Sequence, residues 1–173
     1  AAAADAEKPL AKYSEKYCLA IAVTGADTAA SWNVKPAQSS FYTLRAAVEK
    51  VLARFGVDIE SLRSRTSECD LFADAIEYMQ GDRAVIRMGV VAPAIRRMFD
   101  LKQPVYFAEI DFELVTRAAK KNTIVAAELS KFPEVKRDLA LLVDKNVTFS
   151  QLRDVAFATE KKLLKRVTLF DVY

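Results

Sequence analysis

The short turn sequence Gln80-Gly81-Asp82 constrains the fold more than any other feature of the chain. It separates two apolar runs, residues 72–79 and 83–91, each of which has the length and composition of a β-strand. Two strands joined by so short a turn pair as a hairpin. The sequence therefore predicts an antiparallel sheet in the middle of the chain.

Hydrophobic periodicity predicts the other elements. Further strands are expected at residues 17–24, 62–67, 104–111, 135–143 and 166–173, with helices at 40–55, 93–99, 112–120 and 148–163 and a loop at 26–38. Thr148 and Gln151 form a capping-box signature at the start of the last helix. The strand–helix–strand order of the final part predicts a βαβ unit with parallel strands. The expected fold class is α+β.

Composition excludes several kinds of active site. The 173 residues include no histidine, which removes Ser-His-Asp and Cys-His sites and histidine zinc sites. The four glycines stand alone, so no phosphate-binding glycine loop is present. Cys18 and Cys69 lie far apart and are expected to be buried core residues in a reducing cytosol. No apolar stretch approaches the roughly 18–20 residues that span a bilayer, and no secretory signal is recognisable, so a cytoplasmic protein without membrane contact is expected.

Positive charge is concentrated in the last third of the chain. Residues 117–173 contain 12 Lys and Arg against 7 Asp and Glu, whereas residues 1–116 contain 14 against 16. This asymmetry indicates an anionic partner for the C-terminal part, although an ordinary solvated surface would look the same. The polar stretch Lys120-Lys121-Asn122 is the expected joint, which gives domains of residues 1–121 and 122–173.

Two sets of motifs resemble one known family. Ser130-Lys131-Phe132-Pro133, Arg137-Asp138 and the later Leu169-Phe170-Asp171-Val172-Tyr173 resemble the ferredoxin-fold anticodon-binding domain of bacterial phenylalanyl-tRNA synthetase beta subunits. Upstream, Trp32-Asn33, residues 39–52 and residues 103–115 resemble the catalytic-like module of the same subunits. The resemblance covers about residues 8–173, nearly the whole chain.

This resemblance implies a two-part architecture. Residues 1–121 would form a class II synthetase-like, mainly antiparallel sheet with flanking helices and no catalytic residues, which acts as a scaffold for the alpha subunit. Residues 122–173 would form the first half of the ferredoxin-like anticodon-binding domain, because the family continues beyond Tyr173 with a second βαβ half.

The family also implies an activity for the whole enzyme. An alpha2-beta2 tetramer attaches phenylalanine to tRNA-Phe with ATP and magnesium. No cofactor, metal ligand or catalytic residue is expected in this chain itself, and the chain alone should not catalyse phenylalanine-dependent ATP–pyrophosphate exchange.

The candidate tRNA-binding residues are Lys136, Arg137, Asp171 and Tyr173. If Phe170 faces the helix of the βαβ unit, alternation places Asp171 and Tyr173 on the open face of the sheet. Unpaired anticodon bases could then stack on Tyr173 and donate to Asp171, while Lys136 or Arg137 meets phosphate. The alternative is structural: Arg137 and Asp138 could form an ion pair with Asp171.

Two other functions stay open from the sequence. One is a free-standing RNA-binding or regulatory module derived from a synthetase. The other is an unrelated α+β enzyme that uses Glu109 and Asp111, which share a strand face; an exposed face or an interface would explain the same pair. Trp32, the single tryptophan, is expected to be a core residue or an interface anchor.

Overall fold

The computed structural model describes residues 13–120, 126 and 131–173. The chain divides into two compact units, residues 1–126 and 127–173. Lys121 and Asn122, where the sequence predicts the domain boundary, lie outside the described residues. The boundary at 121/122 therefore stays a prediction.

The first unit is a five-stranded antiparallel sheet with helices. In chain order its elements are β1 (Cys18–Thr24), β2 (Ala26–Thr28), β3 (Ala37–Gln38), α1 (Phe41–Arg54), β4 (Arg63–Thr66), β5 (Phe72–Gln80), β6 (Arg83–Val91), α2 (Pro93–Met98), β7 (Val105–Asp111) and α3 (Phe112–Ala119). The strand order is β1-β7-β6-β5-β4, and every neighbouring pair is antiparallel. The predicted antiparallel sheet with flanking helices is confirmed.

The loop prediction for residues 26–38 is wrong in part. Strands β2 and β3 form a small hairpin through two rungs, Ala26 with Gln38 and Thr28 with Ala37. The pairing is too short, and its residues too small and polar, to produce an alternating apolar pattern.

Helix α1 covers one face of the sheet. Leu44, Val48 and Leu52 recur every four residues and are at most 1% exposed, so they form one apolar stripe. Ser40 and Thr43 form a capping box at the start of the helix. The stripe belongs to a buried cluster that also contains Ile59, Tyr78, Val85, Ile86, Met88, Ala108, Ile110 and Val115. Burial of each large apolar side chain contributes about 1.5–3 kcal/mol, which makes this face the core of the unit.

The second unit contains α4 (Phe149–Thr159), which begins at the predicted capping box of Thr148 and Gln151. The strands predicted at 135–143 and 166–173 are wrong, because neither segment forms a strand. A strand requires a hydrogen-bonding neighbour, and the described part of this unit provides none. The apolar side chains that suggested strands are exposed, including Leu139 at 75% and Phe170 at 73%. Of the predicted ferredoxin-like βαβ unit, only the helix is formed.

The cysteine prediction is also wrong. Cys18 is exposed and Cys69 is partly exposed, and both are free thiols. Cys18 lies on β1, an edge strand of the sheet, so only one side of that strand has a neighbouring strand to cover it. In the described ranges, no helix combines the length and the hydropathy that crossing a membrane requires.

Gly89 allows β5 and β6 to approach each other closely. It pairs with Ala75, beside an irregularity of β5 between Phe72 and Asp74. A Cβ atom on Gly89 would collide with the carbonyl oxygen of Asp74 and would lie 2.7 Å from the Cβ of Ala75. The backbone of β5 would have to move to admit any side chain at this position.

We predict that Gly89→Ala destabilises the chain by about 1–3 kcal/mol, the usual cost of overpacking a tight site. Chemical denaturation followed by far-ultraviolet circular dichroism measures the change. Gly81→Asn is the control, because Gly81 has φ +62° and open space around it, and asparagine tolerates this conformation. A Gly89→Ala variant as stable as the control would contradict the close approach.

Candidate functional site

Four charged residues form a row across the face of the sheet opposite α1. The strand register pairs Arg65 with Glu77, Glu77 with Arg87, and Arg87 with Glu109, on β4, β5, β6 and β7 in turn. Residues directly opposite each other on neighbouring strands project from the same face. We call these four residues the charged row. Its signs alternate, and its formal net charge is zero.

Glu77 is the centre of the charged row. Its side chain is only 5% exposed. Nε and Nη2 of Arg65 lie 2.8 and 2.7 Å from Oε2, and Nε of Arg87 donates to Oε1 over 2.6 Å. The Ser67 hydroxyl lies 3.1 Å from Oε1. A buried carboxylate is stable only when it is paired in this way.

The electrostatics keep Glu77 ionised. Burial alone would raise the pKa of Glu77, but the hydrogen bonds from Arg87, Arg65 and Ser67 outweigh burial and hold the pKa below its ordinary value. The contact with Glu77 also affects Arg87, because the hydrogen bond to Glu77 raises the pKa of Arg87. Arg87 therefore stays charged, and both arginines remain directed at one carboxylate.

This arrangement limits what the open face can bind. Nε and Nη2 of Arg65 and Nε of Arg87 are directed at Glu77, so these donors are not available to bind phosphate. A phosphate on this face would have to displace a buried carboxylate or meet its negative charge. The face is therefore suited to a structural role rather than to anion binding.

Glu109 and Asp111 share a strand face, as predicted, but Asp111 has a structural role. Its Oδ1 accepts a hydrogen bond from the backbone N–H of Leu114 over 3.1 Å and caps α3. Its Oδ2 lies 3.9 Å from Nζ of Lys16. Glu109 is the end of the charged row. Across residues 13–120 and 131–173, no three acidic or cysteine side chains gather as a metal site would require.

The four candidate tRNA-binding residues are exposed on the second unit but are not arranged on one strand face. Lys136 and Arg137 are sequence neighbours, and Nη1 of Arg137 donates to the Lys136 carbonyl over 3.2 Å. Oδ1 of Asp171 accepts the N–H of Val172 over 2.8 Å. The Tyr173 side chain is fully exposed, at 104%. Their role in RNA binding stays a prediction.

The proposed structural ion pair is not formed. Arg137 makes no salt bridge with Asp138 or Asp171 in the structure that residues 131–173 adopt. The guanidinium of Arg137 bonds a backbone carbonyl instead, and the Asp171 carboxylate bonds the adjacent backbone. The charged groups of Arg137 and Asp171 therefore do not pair with each other.

Sequence patterns do not single out Glu77, Arg65 and Arg87 as site residues. The available signal was the presence of charged residues inside the predicted strands 62–67, 72–79 and 83–91. A regular hairpin about Gly81-Asp82 would place Glu77 opposite Ile86, but a register shift between Tyr78 and Met79 places it opposite Arg87. Local sequence does not reveal that shift.

Both units match known protein families. Residues 3–112 match the family model described as phenylalanyl tRNA synthetase beta chain CLM domain, and residues 130–173 match the ferredoxin-fold anticodon binding domain. A phenylalanine–tRNA ligase beta subunit from Bacteroides thetaiotaomicron is 44% identical over 96% of this chain and 20% of the relative. Beta subunits from Bacteroides fragilis and Porphyromonas gingivalis are 40% and 39% identical, with the same coverage. The chain spans about a fifth of the length of these curated relatives.

Among solved structures, pyrrolysyl-tRNA synthetase from Desulfitobacterium hafniense aligns with 63% of this chain and 43% of its own. The TM-score is 0.39 at 10% identity, which is too low to support an inference.

We predict that Glu77→Gln lowers the free energy of unfolding at pH 7 by about 1.5–3 kcal/mol, the contribution of hydrogen bonds to a charged group. Because the folded-state pKa of Glu77 is lowered, its stabilisation is complete above the ordinary value of 4.5 and disappears as the pH falls through the folded-state value. The difference between wild type and variant should therefore shrink below pH 4.5.

Denaturation curves across the acid range test this expectation. Glu113→Gln is the matched control, because Glu113 is 41% exposed and lies 3.7 Å from Arg117 within one helix. Such a pair contributes less than about 0.5 kcal/mol. A Glu77→Gln deficit that stays constant with pH would show that the lost charge is not its cause.

Proposed function

The chain belongs to the phenylalanyl-tRNA synthetase beta chain family, and from this premise we propose its role in phenylalanine–tRNA ligase. The first unit is a non-catalytic class II synthetase module that acts as a scaffold for the alpha subunit. The second unit contributes to the surface that binds the anticodon of tRNA-Phe. The whole enzyme, an alpha2-beta2 assembly in the cytoplasm, attaches phenylalanine to this tRNA with ATP and magnesium.

The double arginine contact of Glu77 supports a scaffold more than any other single observation. An adenylating site needs free cationic groups for the phosphates of ATP and carboxylates for its magnesium. Here Arg65 and Arg87 both bind the buried Glu77, and Asp111 caps a helix. These contacts disfavour an ATP and magnesium site on this face of the sheet, and we assign both to the alpha subunit.

The two alternatives from the sequence are less well supported. Relatives named as ligase beta subunits align with 96% of this chain, which favours a subunit over a free-standing RNA-binding module. An unrelated enzyme built on Glu109 and Asp111 is disfavoured because the Asp111 carboxylate caps α3.

Positive charge on the second unit supports tRNA binding. A turn after α4 is held by Glu160, whose carboxylate accepts the backbone N–H groups of Lys162 and Leu163 over 2.7 and 2.9 Å. These bonds lower the pKa of Glu160, so the turn persists at neutral pH. The turn exposes lysines to solvent, and Lys136 and Arg137 of the same unit are also exposed. Exposed cations attract phosphate, and exposed aromatic side chains such as Tyr173 can stack with unpaired bases.

We predict weak, salt-dependent binding of tRNA-Phe by the chain. Replacing both cations in Lys136→Gln/Arg137→Gln should lower affinity and reduce the slope of log K against log salt by about 1.4, because each lost phosphate contact removes about 0.7 for single-stranded RNA. Filter binding across a salt titration measures both quantities.

The matched control is Lys50→Gln/Arg54→Gln, which removes two exposed cations of α1. This control should leave the slope of the wild type unchanged. Tight binding that is insensitive to salt would contradict the proposal, as would equal slopes for wild type and Lys136→Gln/Arg137→Gln.

A further inference from the structure

The segment that joins β6 to β7 forms a pocket with a positively charged lining. Its volume is about 340 Å³, at the lower end of the range for small-ligand sites. Three cations and one acid line it, which gives a formal net charge of +2. The lining residues are Pro93, Arg96, Arg97, Asp100, Leu101 and Lys102.

Arg96 is held at this pocket by backbone groups. Its Nη1 donates to the Gln103 carbonyl over 3.1 Å and to the Lys102 carbonyl over 3.5 Å. The carbonyl of Arg96 in turn accepts the N–H groups of Phe99 and Leu101 over 3.2 and 2.9 Å. The guanidinium is therefore fixed in place by groups that carry no formal charge.

The three cations have no acidic partner in the part of the chain that the structure describes. There, Arg96, Arg97 and Lys102 form no ion pair with a carboxylate. In the same residues, the buried Nε of Arg96 has no hydrogen-bond acceptor. Buried donors without an acceptor are rare in native proteins, and a bound ion or water is one explanation for them. An anion in the pocket would supply the missing negative charge.

Asp100 reverses the chain beside the pocket. Its φ is +53°, and it is the one non-glycine residue with positive φ among those described. Its N–H donates to the Arg97 carbonyl over 3.1 Å. Because the chain reverses here, Lys102 lines the same pocket as the two arginines of α2.

We propose that these six residues, which we call the Arg96 pocket, bind a phosphate group. One arginine is enough to pair with a carboxylate in bidentate fashion, whereas a phosphate offers oxygens to several cationic groups at once. Three separate cationic side chains therefore match phosphate better than a single carboxylate. The site goes beyond the proposed function, which places anion binding on the second unit.

The recognised group is the phosphate itself and not an attached base. Pro93 and Leu101 are the only apolar residues of the lining, and no aromatic side chain is available there for stacking. Free inorganic phosphate and the phosphodiester groups of RNA share this chemistry, and the experiment below separates these two sources.

NMR of arginine Nε–H groups and backbone amides of the isotopically labelled chain tests the proposal. Titration with sodium phosphate, at an ionic strength held constant with sodium chloride, should produce saturable shifts at Arg96, Arg97 and Lys102. If tRNA-Phe displaces the phosphate and shifts the same resonances, the natural source is RNA. If tRNA-Phe leaves them unmoved, the source is free phosphate.

Trp32 provides a control for effects on the whole chain. It is the single tryptophan, is 97% exposed between β2 and β3, and does not line the pocket. The core position that the sequence predicts for it is therefore wrong, and the interface position stays a prediction. In the chain labelled with 5-fluorotryptophan, its fluorine resonance should not move while phosphate fills the Arg96 pocket.

Two variants should change the affinity in opposite directions. Arg97→Gln/Lys102→Gln should raise the dissociation constant for phosphate by about 25-fold, or roughly 5-fold for each unit charge removed at close range in water. Asp100→Asn should lower it by roughly 5-fold, because it removes the one repelling charge, and asparagine tolerates positive φ. Arg96 is left intact in both variants because its side chain holds the loop.

The matched control is Lys50→Gln/Arg54→Gln, which removes two exposed cations of α1 and should bind phosphate like the wild type. Shifts that sodium chloride alone reproduces would indicate an adventitious ion only and overturn the proposal. So would the absence of saturation, or an Arg97→Gln/Lys102→Gln chain that binds phosphate as tightly as the wild type. Each of these results leaves the test of Lys136 and Arg137 on the second unit unaffected.

Discussion

The pairing of Glu77 with two arginines is the interaction on which the open face of the sheet depends. It joins β4, β5 and β6 through side chains in addition to their backbone ladders. Removing one partner of a buried carboxylate is strongly destabilising, so the two arginines link the stability of β5 to that of β4 and β6. Because β4 is an edge strand, Arg65 is the side chain that ties this edge to the interior of the sheet.

The two faces of the sheet are stabilised by different interactions. Under α1, apolar side chains at helical spacing meet the alternate residues of the strands and exclude water. On the other face, alternating charges satisfy one another and leave no net charge. Because Arg65 and Arg87 bind Glu77, they stabilise the sheet and are less suited to binding phosphate. This exchange suits a subunit module whose part in the reaction is to support another chain.

Local signals predicted the first unit and the helix of the second unit well. The turn at Gly81-Asp82, the apolar stripe of α1 and the capping box at Thr148 each depend on neighbouring residues, so the sequence contains them directly. The strands predicted at 135–143 and 166–173 are not formed. An alternating pattern of apolar side chains shows only that one face of a segment could be buried, and not that a partner strand is present. Leu139 and Phe170 illustrate this point, because both lie in these segments and are exposed.

The candidate site was harder to predict. The charged row depends on a register shift near Tyr78 and Met79, and the exposure of Trp32 depends on how a two-rung hairpin projects from the sheet. Both are consequences of packing between distant segments, which periodicity along the chain does not report. The resemblance to a synthetase subunit came from motif residues instead, and the family matches confirm it.

Arginine NMR during a titration with magnesium–ATP tests the central claim most directly. If Glu77 occupies Arg65 and Arg87, their Nε–H resonances should be hydrogen-bonded in the free chain and should not move when millimolar ATP is added. A saturable shift of either resonance would show that the arginines are available to phosphate, and would contradict the account of this sheet as a scaffold.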